Sequence, residues 1–124
     1  MNIKYAISAV LISSAFIANA SDIDAMEARH QASIASNEGK TYEMKAAQAF
    51  FGDAAFMREC APPGVTTPET VTIYFEVMPA GKMGELLILP EGKVSKCISG
   101  HVRDRAFPSP PETYVGKIEL TFKE

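Results

Sequence analysis

The residues able to do chemistry in this chain are few: two cysteines, two histidines, and scattered carboxylates and arginines. Cys60 and Cys97 can pair as a disulfide, stay as reactive thiols, bridge two molecules or share a metal. Metal ligation is weakly signalled, because His30 and His101 are scattered relative to the thiols and show no ligand spacing. A redox dithiol lacks its Cys-x-x-Cys spacing. His101 falls on an apolar helical stripe, where a core or boundary histidine is the plainer reading than a catalytic one. Ser99 and His101 are two apart and cannot face each other on a helix, so no triad follows. His30 lies in a polar N-terminal stretch and is expected to be solvated. Glu76, Glu85 and Glu119 fall on strands without forming a pair suited to acid–base work. Arg103-Asp104-Arg105 reads as a solvated charged face; the sharper alternative is a small basic edge for a carboxylate or an acidic loop. Tyr74 and Met78 share one strand face and would serve as contact anchors if that face is open. If the N-terminal segment covers it, they become a second small core. The chain is therefore expected to have no catalytic residue, no cofactor and no metal, with Tyr74, Met78, Arg103 and Arg105 as possible partner-binding residues.

The first 20 residues read as a cleavable export signal. Lys4 supplies the positive start, Tyr5 to Ile17 a compact apolar run, and Ala18-Asn19-Ala20 a small-x-small cleavage site. The run is shorter than the ~20 residues of a membrane span, and no stop-transfer segment follows it. Such a signal suits a periplasmic or secreted protein of a Gram-negative cell, with no stable membrane anchor. Removing 20 of the 124 residues leaves 104, enough for one domain with its own core, and moves the formal charge from −3 to −4. A mildly acidic chain without a basic cluster argues against nucleic-acid binding. An even cysteine count in an exported chain favours a Cys60–Cys97 disulfide closing a 38-residue loop.

Residues 21–39 form an N-terminal helical or flexible segment. Ile23, Met26, His30 and Ile34 recur at helical spacing, the stripe is thin, and Asn37-Glu38-Gly39-Lys40 is expected to break it. The compact domain is placed at 40–124. It begins with a helix from Thr41 to Phe51 whose stripe is Ala47, Phe50, Phe51 and Ala54, with Asp53 capping a continuation through Cys60. Val71, Ile73, Phe75 and Val77 alternate with polar residues in a strand over 70–78. The Pro79-Ala80-Gly81-Lys82 turn returns the chain as a strand over 83–89, whose unbroken Leu86–Leu89 run suggests burial on both faces or a central position. Val94, Cys97, Ile98, His101 and Val102 define a second helix, which opens at Pro90-Glu91 and holds Gly100 for close packing. Tyr114 to Phe122 is the last strand. The expected class is α+β in the order α-β-β-α-β: a three-stranded antiparallel sheet, two helices on one face and one disulfide stapling the helical layer.

These residues resemble the C-terminal domain of TonB-type energy transducers. The stretch Thr72-Ile73-Tyr74-Phe75-Glu76-Val77-Met78-Pro79-Ala80-Gly81-Lys82-Met83 is similar to that family's strand, turn and return strand. Lys96-Cys97-Ile98 followed by Arg105-Ala106-Phe107-Pro108-Ser109-Pro110 is similar to its helix and "R-x-F-P-x-P" exit, and Ile118-Glu119-Leu120-Thr121-Phe122 to its closing strand. The two-cysteine pattern is most similar to the AgmX-type variants. The resemblance covers roughly residues 41–124 and implies a small partner-binding domain that pairs a peptide strand along its sheet edge. A TonB transducer keeps a membrane anchor and a long Pro-rich spacer. This chain reads as cleaved and spacerless, so binding without force transmission is expected.

The function expected on these grounds is a non-catalytic periplasmic protein-binding or adaptor module with a protein or peptide partner in the cell envelope. The alternative is a periplasmic inhibitor or immunity protein acting against an envelope enzyme. An enzyme would require His101 exposed in a pocket beside arginine or glutamate groups.

Overall fold

The strand β1, Thr70–Val77, is the centre of the molecule in a computed structural model that describes residues 20–52 and 54–122. The export-signal reading, but for Ala20, and the Asp53 cap lie outside the described residues. Val71, Ile73, Phe75 and Val77 are each at most 1 % exposed, as alternation requires of the core face of a half-apolar strand. β1 pairs antiparallel with β2, Met83–Leu89, and with β3, Tyr114–Thr121, in the spatial order β2-β1-β3. Ile73 is opposite Ile88 on one side and Ile118 on the other. The Leu86–Leu89 run is thus an edge strand, not a central one. It is apolar because Leu86 and Ile88 pack on the large core while Leu87 packs on a smaller cluster across the sheet.

The large core lies between the sheet and three helices: α2 (Asn37–Phe51), α3 (Ala55–Cys60) and α4 (Lys93–Val102). Tyr42, Ala46 and Phe50 recur every four residues and form the buried stripe of α2. Phe50 is buried as expected, whereas Ala47 and Phe51 are only half-buried and Ala54 is exposed, so the stripe runs back from Phe50 through Ala46 and Tyr42. The predicted continuation to Cys60 is a separate helix, because Gly52 and Ala54 both take positive φ angles and turn the chain. α4 starts at Lys93, with Ser95 Oγ accepting from the Gly92 amide at 2.8 Å. Val94, Ile98 and Val102 of α4 are buried. Gly100 has nothing within 4 Å of where a Cβ would stand, so close packing does not account for it.

The N-terminal segment is α1, Ala20–Ser33, and it lies on the opposite face of the sheet. Helices therefore cover both faces, and the two-helix layer expected from the sequence corresponds to α2–α3 with α4. The expected break at Asn37-Glu38-Gly39-Lys40 is instead the first turn of α2. Ser36 is its N-cap, its hydroxyl accepting from the Gly39 amide at 3.0 Å, and Glu38 suits the positive end of the helix. The glycine serves the corner between helices: a Cβ on Gly39 would stand 1.7 Å from the Ser33 carbonyl oxygen. The expected domain boundary at 39/40 falls inside α2.

Candidate functional site

The face carrying Tyr74 is covered. Met26, Tyr74 and Val115 form a buried cluster with Ile23 and Leu87 packed against it, so Tyr74 is 3 % exposed and is not an open contact anchor. The physical reason is polar. Glu27 accepts from the Tyr74 hydroxyl and from Lys117 Nζ at 2.8 Å. Arg29 pairs with Glu76 and, at 3.1 Å, with Glu85. Glu76 also accepts from the Glu85 amide at 2.9 Å. His30, expected in solvent, is 5 % exposed with Nδ1 2.9 Å from the Val115 carbonyl oxygen. Ser33 Oγ accepts from the Val115 amide at 3.0 Å. Met78 does remain exposed, at 39 %.

Hydrogen bonds from Lys117, Tyr74 and Gln31 hold the Glu27 carboxyl down from its ordinary 4.5 to about 2. The Glu85 amide and Arg29 lower Glu76 in the same direction. A group depressed by folding adds stability that is complete above its unfolded pKa and is lost as pH falls through the folded one. Docking of α1 is therefore expected to weaken between pH 4.5 and about 2. NMR shifts of the Tyr74 ring followed through that range should report release, and Glu27→Gln should reduce the pH dependence there, with the part carried by Glu76 remaining. An unchanged Tyr74 environment at the acid end would refute this.

Arg103 is exposed and donates back to Ser99 Oγ at 3.0 Å, whereas the Arg105 guanidinium lies over the Phe56 ring at 5.1 Å from its centroid. Compared with family models, curated proteins and solved structures, the chain matches none. What can bind must therefore be found in its own geometry.

The two sheet edges differ. At β3, both Val115 backbone groups bond side chains of α1, which closes that end of the edge. In an antiparallel ladder alternate residues turn their backbone groups outward. With Val115 turned away from β1, the register places the outward groups of β2 at Leu86 and Ile88. These residues line a groove of about 310 Å³ whose other wall is Glu91, Gly92, Ser95, Lys96 and Ser99 at the start of α4. The entrance to β2 is closed by the segment after α4, where Lys82 bridges Ala106 and the Phe107 amide donates to the Gly81 carbonyl at 2.9 Å. An open stretch of edge thus lies beside an apolar-floored groove with a hydroxyl- and charge-bearing rim.

Cys60 and Cys97 are disulfide-bonded, with Cα atoms 5.4 Å apart. His101 lies beside them, partly exposed, Nε2 3.4 Å from Glu59 Oε1, its ring 5.7 Å from that of Phe56. The linear sequence shows no ligand spacing around the thiols as a pair, and the fold supplies one. Cys97 and His101 are four apart on α4, one turn of a single helix face, and α3 brings Cys60 to the same place.

Proposed function

We propose that the protein is a non-catalytic binding module of the cell envelope that receives an extended partner segment along the open edge of β2. The observation that carries this reading is the difference between the sheet edges: α1 blocks Val115 on β3, while Leu86 and Ile88 border a groove. Unpaired edge groups are a template for strand addition, and natural proteins usually cover them. Alternate side chains of an added strand would enter the groove, where Leu86 and Ile88 offer apolar contact and Ser95, Lys96 and Ser99 offer polar contact. The resemblance to the TonB-type C-terminal domain implies the same mode. A disulfide compatible with an oxidising compartment supports the envelope as the place of action. Among the described residues no helix is long and apolar enough to cross a membrane.

A photo-crosslinking residue at Ser99 should capture a specific envelope protein that the same residue at the exposed Met44 does not. The captured segment, made as a peptide, should shift the Leu86 and Ile88 amides in NMR. Ser99→Trp, which fills the groove from its rim, should weaken binding about tenfold, the effect of blocking one anchor position in a small interface. Equal capture at both positions, or shifts confined to other strands, would overturn the reading.

A further inference from the structure

We propose that Cys60, Cys97, His101 and Glu59 form a redox-gated site for a thiophilic divalent cation of the zinc type, closed as a disulfide and opened when a dithiol reduces it. Two sulfurs and one imidazole nitrogen lie within 4.8 Å of one another, with the Glu59 carboxylate 3.4 Å from His101 Nε2. Zinc takes four ligands at about 2.3 Å for sulfur and 2.0–2.2 Å for nitrogen and oxygen, which places its donor atoms roughly 3.3–3.8 Å apart. The two sulfurs are bonded to each other in the disulfide and separate on reduction, while the imidazole nitrogen already lies within 4.8 Å of them, so side-chain torsions have to supply movements of roughly 1–2 Å to reach that spacing. The ligand types also suit the metal, since thiolate and imidazole select zinc-like ions over magnesium or calcium.

The backbone supports the cluster from two elements. α4 presents Cys97 and His101 one turn apart, and α3 ends in Glu59 and Cys60 against it. The cluster is graded in access: Cys60 is buried, Cys97 half-buried and His101 exposed, with the Glu59 side chain 66 % exposed. A reductant reaches the Cys97 sulfur, and a cation enters past Glu59 and His101. The Phe56 ring forms an apolar wall beside the imidazole.

The steps balance. A dithiol gives two electrons and two protons to the Cys60–Cys97 bond and is itself oxidised to a disulfide, leaving two thiols on the protein. The cation then displaces the two thiol protons, which pass to solvent, and is held by two thiolates, the neutral His101 nitrogen and the Glu59 carboxylate. The α3–α4 staple persists in either state, covalent when oxidised and metal-bridged when reduced.

The purified chain, reduced with a phosphine and titrated anaerobically with cobalt(II), should bind one equivalent. It should show the thiolate-to-cobalt charge-transfer band and the intense visible bands of a tetrahedral centre. Zinc should displace the cobalt, and the oxidised chain should show neither band. His101→Ala, which leaves the disulfide intact, should weaken cobalt binding by about a hundredfold and alter the visible bands. At equal zinc, the urea midpoint of the reduced chain should rise clearly, and that of reduced His101→Ala by less. Absence of the charge-transfer band, binding unchanged in His101→Ala, or a reduced chain that stays unfolded with metal present would each overturn the proposal.

Discussion

Phe75→Ala is expected to destabilise the protein by about 3–5 kcal/mol, the range for removing a fully buried phenylalanine. Phe75 is 1 % exposed and sits where α2, β3 and the segment after α4 meet β1. Its ring lies 5.0 Å from that of Phe50 on α2, 5.6 Å from Phe107 after α4, and 6.4 Å from Tyr114 on β3. The space beneath the ring is made by a glycine: Gly116 is its partner on β3, and a Cβ there would stand 2.4 Å from Phe75 Cζ. Truncation to alanine thus strips an aromatic neighbour from α2, from β3 and from the segment after α4, and leaves a cavity that the flanking rings cannot fill without shifting backbone. Urea unfolding with the slope held common should give the destabilisation as a midpoint shift. A change below about 1.5 kcal/mol would mean that the core can collapse into the space, against close packing of these rings.

The large core was legible because its parts are periodic. Val71 to Val77 alternate with period two, and Val94, Ile98 and Val102 repeat at helical spacing, so each element announced which face it buries. The smaller core was not. Among the described residues Ile23 and Met26 are the apolar anchors of α1, and Glu27, Arg29, His30 and Ser33 bond residues 47 to 90 positions away. Polar contacts of that kind have no period, and a polar stretch reads as solvated until the fold supplies its partners. The break expected at Asn37-Glu38-Gly39-Lys40 is a helix start for a related reason. Asn37, Glu38 and Gly39 are common turn residues, but beginning after Ser36 they make a good first helical turn, and only the close approach of Ser33 to Gly39 explains why glycine stands there. The Cys97–His101 spacing was present in the sequence. Its meaning depended on α3 delivering Cys60 and Glu59, with Cys60 meeting Cys97 across a separation of 37 residues that no local pattern encodes.

Replacing both cysteines, Cys60→Ala with Cys97→Ala, is expected to cost about 4 kcal/mol, the loop-closure entropy released to the unfolded chain by opening a 38-residue loop. That is a large share of the roughly 5–15 kcal/mol typical of a single domain. The destabilisation should not be evenly felt. α3 has six residues and no side-chain cap, so it cannot sustain itself as a helix and depends on Phe56, Cys60 and the bridge to α4. Amides over 55–60 should therefore exchange nearly without protection in the double variant, while β1, held between two edge strands, keeps its protection until global unfolding. A double variant within about 1 kcal/mol of the parent, or one whose α3 amides stay protected, would show that packing alone holds the helical layer and that the bridge is incidental. The same variant separates the two roles assigned to the sulfurs. Chemical reduction and double replacement both remove the covalent link, but only the reduced chain retains thiolates, so zinc should restore α3 protection there and leave the double alanine variant unchanged.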